Sequence, residues 1–403
     1  MSFEIDFNIA KKIYIGNNLV QKVFMGNQLI YEFKPREEYN LKLDDSGLHW
    51  VSSKGEIRYL YEYLKYKSNT DSGEYKVRHI GDTGQAIDVD IELLEFNTDL
   101  IQGEFEIGNS VEDGAIVMAR FNNSLTIDKD ALVTTKMRKK GFFIYVDGDL
   151  VVNGTISMTG KGAVATGQDL FLISTNENGG VYKIPAVGGA GGSAVSISVN
   201  GSSGGFKAGT KGSDGVDGAT GGGGAGGAYI TWSGTRTSGR GGHGTSFSGG
   251  TGGGSAYGYT GSYSAQAGSD NGGMGGKARY YFSWSTKNTA SGGAGNIGGL
   301  GQGLDNQDLE ECRGRSGTGG LLCIFVKGNI VLGEGSVIEA NGITNDVECS
   351  VGGGSSGGGS VNIFYGGNFR NLGGVTTACG GESYKYGGAG GKGTARVVMV
   401  DSI

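Results

Sequence analysis

The stretch Phe142-Phe-Ile-Tyr-Val-Asp-Gly-Asp-Leu-Val-Val-Asn-Gly-Thr-Ile-Ser-Met-Thr-Gly160 decides how the chain is read. An apolar run ends at Gly-Asp, a shorter one ends at Asn-Gly, and a third follows. Gly, Asn and Asp tolerate the backbone angles of tight turns, so the cadence is strand, turn, strand, turn, strand. It returns over 324–342 as Ile-Phe-Val-Lys-Gly-Asn-Ile-Val-Leu-Gly-Glu-Gly-Ser-Val-Ile-Glu-Ala-Asn-Gly. It returns again over 363–381 as Ile-Phe-Tyr-Gly-Gly-Asn-Phe-Arg-Asn-Leu-Gly-Gly-Val-Thr-Thr-Ala-Cys-Gly-Gly. The last two align without a gap and share Ile-Phe and Gly-Asn at matching places. Repetition of this kind points to stacked units rather than a single globule.

Glycine surrounds these repeats. It supplies 84 of 403 residues, and only 12 of them lie in the first 150. Two prolines exclude collagen. With 19 Tyr, 16 Phe and 3 Trp the composition does not fit simple disorder. Glycine is densest over 187–302 and 351–393, where short strands such as Ala228-Tyr-Ile-Thr-Trp232 interrupt it. Four Gly-x-y triplets run from Gly209 to Gly221, a three-residue period that matches a polyproline-II-type helix. The expectation is a bundle of extended polyglycine strands, close enough to hydrogen-bond to one another and offset the entropy lost by each ordered glycine. Such a bundle would present loop tips at one end. The alternative is a set of floppy Gly/Ser loops.

Ahead of the repeats, Lys12-Ile-Tyr-Ile-Gly-Asn-Asn-Leu-Val20 and Lys22-Val-Phe-Met-Gly-Asn-Gln-Leu-Ile30 form a tandem with a ten-residue period. Each unit reads as a hairpin, so residues 1–34 are expected to hold a small β-meander that must dock onto something larger. Polar residues 34–46, with Pro35, read as a linker. Residues 47–140 read as a small β-rich or α+β domain, in which 57–66 fits either a helical face or an alternating strand. The Gly-rich β domain is expected over 141–403. The fold class is therefore mainly β: a meander, a small β-rich or α+β domain, then a repeated domain with polyglycine-II-like or solenoid-like stretches.

Chemical signals are few. The net charge of -6 offers no field for a nucleic-acid backbone. Lys136-Met-Arg-Lys-Lys140 reads as a solvated strand end. The start of the chain lacks the basic and apolar regions of a secretory signal, and no apolar run approaches ~20 residues, so a soluble chain without an export address is expected. Cys312, Cys323, Cys349 and Cys379 lack metal-site spacing and read as four reduced thiols. His243 stands in a glycine loop with no acid beside it in sequence. Asp214 and Asp217 could be a glycosidase pair, but they read better as polar fillers in the triplets. No catalytic residue, metal site or cofactor is expected, and the chain is read as not being an enzyme.

Aromatic residues interleaved with Gly and Ser remain. Tyr and Trp give a large, stiff contact surface, and sugar rings stack on such faces. Tyr257, Tyr259 and Tyr263, where no strand is evident, lead the candidate glycan contacts, with Tyr229, Trp232 and Trp284 behind them. The stripe Tyr280, Phe282 and Trp284 reads as a buried strand face.

The Gly-Asn tandem at 10–33 resembles the N-terminal repeats of phage and prophage virion proteins. Residues 141–400, with the three repeats and the Gly-rich excursions, resemble Gly-rich phage tail-fibre and tail-adhesin proteins. Residues 47–135 resemble nothing that can be named. The resemblance implies a virion structural protein of the tail, assembled in the host cytoplasm. It further implies a homo-oligomer, with a trimer favoured, joined to other tail or baseplate proteins through its N-terminal segment. Its Gly-rich tips would bind a host surface polysaccharide, with neither nucleic acid nor membrane insertion involved. The alternative is a structural part of the baseplate, collar or head that binds no receptor.

Overall fold

The computed structural model describes residues 86–399 apart from 175–180, 200–204, 216–227, 231–232, 259–260 and 282–288, together with strands between residues 14 and 80. The described part is mainly β, built largely on parallel sheets, with no α-helix and no closed barrel among the described residues. Nor is any described helix long and apolar enough to cross a membrane.

The centre is a three-sided coil of five rungs. Ala86–Phe96, Leu100–Ile101 and Glu104–Ile107 form the first rung, and Gly114–Phe121, Leu125–Ile127 and Leu132–Thr135 the second. Lys139–Val146, Leu150–Val152 and Thr155–Ser157 form the third. Leu321–Val326, Ile330–Leu332 and Val337–Glu339 form the fourth, and Ser360–Tyr365, Phe369–Asn371 and Val375–Thr377 the fifth. Every strand pairs in parallel with its equivalent one rung away, because the chain completes a circuit before returning to each side. Thr394–Met399 closes one side beside the fifth rung.

The turns are therefore corners between sides. Gly148 sits at one of them, where an added Cβ would run into Ser124. The three segments that share the Phe142–Gly160 cadence fall on the third, fourth and fifth rungs. Their register stacks Phe142 on Leu322 on Val361, and Ile144 on Ile324 on Ile363. Alternate residues point inward, as strand geometry requires. They fill the coil with Val117, Phe121, Ile144, Leu150, Ile156, Ile324, Leu332 and Ile338, all fully buried. Each such side chain contributes about 1.5–3 kcal/mol. The long side is buried on its other face as well: Phe143, Tyr145, Phe325 and Phe364 are closed to solvent, with Tyr145, Phe325 and Phe364 stacked.

Before the coil, the long side continues as an antiparallel sheet of Tyr39–Asp44, Gly47–Ser52, Ile57–Lys67 and Gly73–Ile80. One reading changes here: residues 39–44, read as linker, are a strand. Of the two alternatives open for 57–66, the strand is the one found. The boundary placed at 140/141 falls inside Lys139–Val146, which pairs with strands on both sides of it. Further upstream, Tyr14–Ile15 pairs with Asn18–Leu19, and Lys22–Met25 with Gln28–Glu32, as two separate hairpins.

The basic cluster is solvated only in part: Lys136 is exposed, but Lys139 is drawn inside. Lys139 is fully buried, with its Nζ 3.6 Å from Glu92, 2.6 Å from Asn109 and 2.9 Å from the Val111 carbonyl. Arg138 pairs with Glu112 and Asp113. Burying an ammonium is tolerable only with such partners.

Glycine-rich excursions leave the coil between the third and fourth rungs, between the fourth and fifth, and after the fifth. They pack into a bundle of extended segments. The stretch 249–254 bonds to six others: Gly249 to Gly319, Gly252 to Ala294, and Gly254 to Gln266, while Gly242, Gly276 and Gly354 donate back to it. A backbone can have so many neighbours only where side chains are missing. A Cβ on Gly252 would lie on the Gly354 carbonyl. At the bundle edge Gly209, Gly212 and Gly215 donate to Tyr386, Ala389 and Lys392, every third residue on both sides.

Candidate functional site

The glycine segments run back and forth between two ends. At the coil end, the backbone of Ala165 donates to Asn271, Gly249 donates to Gly319, and Arg138 donates to the Asn296 carbonyl. Going outward from Gly249, the chain reaches Ala256–Gly258 after about 20 Å if extended. Two small sheets sit at this distal end. One has the order Gly205–Lys207, Ala228–Ile230, Ala256–Gly258, Arg279–Tyr281. The other has Ser196–Val199, Gly234–Thr237, Ser262–Ser264.

The register brings together residues far apart in sequence. Tyr229, Tyr257 and Tyr280 are direct partners across three parallel strands. Tyr257 and Tyr280 stack at 5.1 Å and are buried against Ala278, Ala290 and Val351. Tyr257 is thus a core residue on a strand, which corrects its reading as a loop-tip glycan contact. Its ring was free to face solvent only if nothing covered it, and Val351, from the second excursion, does.

Tyr263 belongs to the second sheet and is half-buried. Its ring stacks on Tyr281 at 5.1 Å and 20°. The Arg236 guanidinium lies 4.8 Å from its centroid and that of Arg279 5.6 Å. Arg236 is fully buried, donates to the carbonyls of Thr235 and Gly261, and is pulled below the ordinary arginine value by that burial. Tyr281 is 40% exposed, and Ser262 and Ser264 beside it face solvent. The side chain of Tyr229 lies outside the described residues, as do Tyr259, Trp232 and Trp284 entirely. Of the six candidates, Tyr229, Tyr257 and Tyr263 lie on these strands. Sequence reasoning missed Tyr281, Arg236 and Arg279. Only the sheet register gathers them around Tyr263, so no local sequence signal marks them.

A second feature lies at the coil end. A cleft of about 490 Å³ is lined by Thr166, Val187, His243, Thr245, Asp270 and Asn271, among others. His243 does have an acid nearby, correcting the sequence reading: Asp270 Oδ1 is 4.0 Å from its Nε2 and accepts its backbone N–H at 3.0 Å. Asp270 is committed elsewhere, since Arg240 grips both its oxygens at 2.7 Å and holds its carboxyl down to about 2. At 4.0 Å the imidazole is beyond hydrogen-bond reach. The arrangement is an ion pair bracing a loop, without the base–acid contact that nucleophilic catalysis uses. Asp214 likewise braces structure, accepting from Lys211 and from the Lys392 backbone; Asp217 lies outside the described residues.

Two cysteines are not reduced. Cys312 and Cys349 form a disulfide between the first and second excursions, packed with Val347. Cys323 is buried, which pushes its thiol up, and Cys379 is exposed. No group of acids, histidines and cysteines among the described residues could hold a metal ion.

Comparison with protein-family models, with curated proteins and with solved structures finds no match to this chain.

Proposed function

We propose that this protein is a phage tail component that binds a glycan on the host surface. In this reading the N-terminal hairpins attach the chain to the virion. The coil is a rigid stalk, and the glycine bundle is a polyglycine-II-like lattice that carries the two small sheets outward. The observation that carries the reading is the distal pair Tyr263 and Tyr281, an aromatic stack with one ring 40% exposed and with Ser262 and Ser264 alongside. Aromatic faces with hydroxyl neighbours suit sugars, which present apolar ring faces and polar edges. Three-residue spacing of the bonds from Gly209, Gly212 and Gly215 supports the lattice.

The test is adsorption of the purified chain to host cells and to isolated wall polysaccharide. Retention on both supports the proposal, and indifference to both contradicts it. Tyr281→Ala separates this reading from a purely structural virion part. A receptor-binding protein then loses adsorption with particle assembly intact. A structural part loses assembly or nothing.

A further inference from the structure

Lys139 and Glu92 face each other in the interior, with side chains 0% and 3% exposed and Nζ 3.6 Å from Oε2. Glu92 Oε2 accepts no hydrogen bond among the described residues. Nζ donates to the side-chain carbonyl of Asn109 at 2.6 Å and to the Val111 carbonyl at 2.9 Å. The same Asn109 Oδ1 also accepts the Val111 backbone N–H at 3.0 Å. Two donors therefore converge on one amide oxygen and draw electrons from Cγ, the carbon bonded to it. The niche is tight. A Cβ on Gly108 would lie 2.9 Å from Val117 Cγ2 and 3.6 Å from Glu92 Oε2, and one on Gly114 would lie 3.4 Å from Nζ. Asn109 itself is half-buried, which leaves its amide nitrogen a way out. An amine, a polarised carboxamide and a carboxyl group thus meet away from solvent. They are the nucleophile, electrophile and proton carrier of an amide exchange, already held in place.

We propose that Lys139 and Asn109 join in an intramolecular isopeptide bond, with Glu92 carrying the protons. One proton passes from the ammonium to Glu92, which removes two charges from the interior. The neutral Nζ then adds to Asn109 Cγ, while the Val111 N–H holds the oxygen as charge gathers on it. The Nζ–Cγ bond forms and the Cγ–Nδ2 bond breaks. Glu92 gives its proton to Nδ2 and takes the one that Nζ must lose. Nδ2 departs as ammonia, Glu92 keeps the remaining proton, and no oxidant, reductant or co-reactant is needed. Asn109 follows the last strand of the first rung, and Lys139 opens the third. The bond ties those rungs together and encloses the whole second rung in a covalent ring. The inference stands apart from the glycan-binding reading.

The purified full chain is unfolded, weighed intact by mass spectrometry and mapped with trypsin. A mass below the sequence mass by one ammonia is expected. Trypsin should leave Lys139-Lys140 attached to the 79–120 peptide, because an amidated Lys139 is no longer cut. Asn109→Ala, at a half-buried position, should carry its full sequence mass. Glu92→Gln, nearly identical in shape, should accumulate the cross-linked mass about a hundredfold more slowly while its circular dichroism stays that of the parent. A parent chain at its full sequence mass, with Lys139 cut normally, overturns the inference, and that measurement needs no variant to fold. A loss of ammonia that persists in Asn109→Ala overturns it as well. A bond formed undiminished in folded Glu92→Gln overturns the role given to Glu92.

Discussion

Asn329 and Asn368 occupy the same corner of successive rungs, and one oxygen joins them: Asn329 Oδ1 accepts the Asn368 backbone N–H at 2.9 Å and its side-chain amide at 3.2 Å. Asn329 repeats the relation upward, giving its own N–H and amide to Asp149 Oδ1 at 2.7 and 3.1 Å. Asp149 in turn donates its backbone N–H to Ser124 Oγ. This ladder satisfies corner backbone groups that no strand can pair. Asn329→Ala breaks it in the middle and leaves the Asn368 N–H to water. A loss of about 1–2 kcal/mol is expected, read as a lowered thermal midpoint. Ser124→Ala, at the end of the ladder, costs less.

Glycine substitutions separate two demands made on that residue. Gly335 has φ +74° with no atom within 4 Å of an added Cβ. Gly335→Ala therefore pays only for its backbone angle, about 1 kcal/mol. At Gly252 a Cβ meets the Gly354 carbonyl within a closed bundle. Gly252→Ala is expected to cost about 3 kcal/mol or more. Limited proteolysis should then cut the glycine segments while the coil persists. Equal costs at the two sites would count against a close-packed bundle.

Thiol labelling gives a count. In the native, unreduced protein a maleimide should modify Cys379 alone, because Cys323 is buried with its thiol pushed up and the other two are joined. Unfolding without reductant should add Cys323, and reduction should add Cys312 and Cys349. Four reactive thiols in unreduced, unfolded protein would contradict the disulfide.

Acid should loosen the Arg240–Asp270 brace. Asp270 titrates near 2 in the folded chain, below the ordinary carboxylate value near 3.9. Its contribution is therefore complete above about pH 4 and is lost as pH falls toward 2. Both groups are partly exposed, so solvent screening limits the effect to less than about 1 kcal/mol. The stability gap between the parent chain and Asp270→Asn should be present at pH 6 and close by pH 2.

Local chemistry was legible in the sequence, and long-range pairing was not. Corner residues such as Gly148 and Asn329 announce turns, and the apolar runs at 142–146 and 321–326 announce strands. Nothing local says that Phe142 lies beside Leu322, because that register depends on the whole intervening excursion closing on itself. Tyr257 illustrates the same limit: its flanking Ala and Gly give no alternation, and it is buried by Ala290 and Val351. Lys139 reads as a surface lysine until Glu92 and Asn109 are brought over it by the preceding rung. Cys312 and Cys349, 37 residues apart, carry no spacing signature. Tyr281 and Arg279 meet Tyr263 only across two separate sheets, a relation that no local pattern carries.

The central claim is that the glycine bundle carries its distal sheets outward, away from the particle. A map of the intact virion that locates this chain tests it most directly. The account predicts the N-terminal hairpins against neighbouring tail proteins and Tyr263, Arg279 and Tyr281 at an exposed tip. A bundle enclosed by other subunits, with Tyr281 covered, would contradict it.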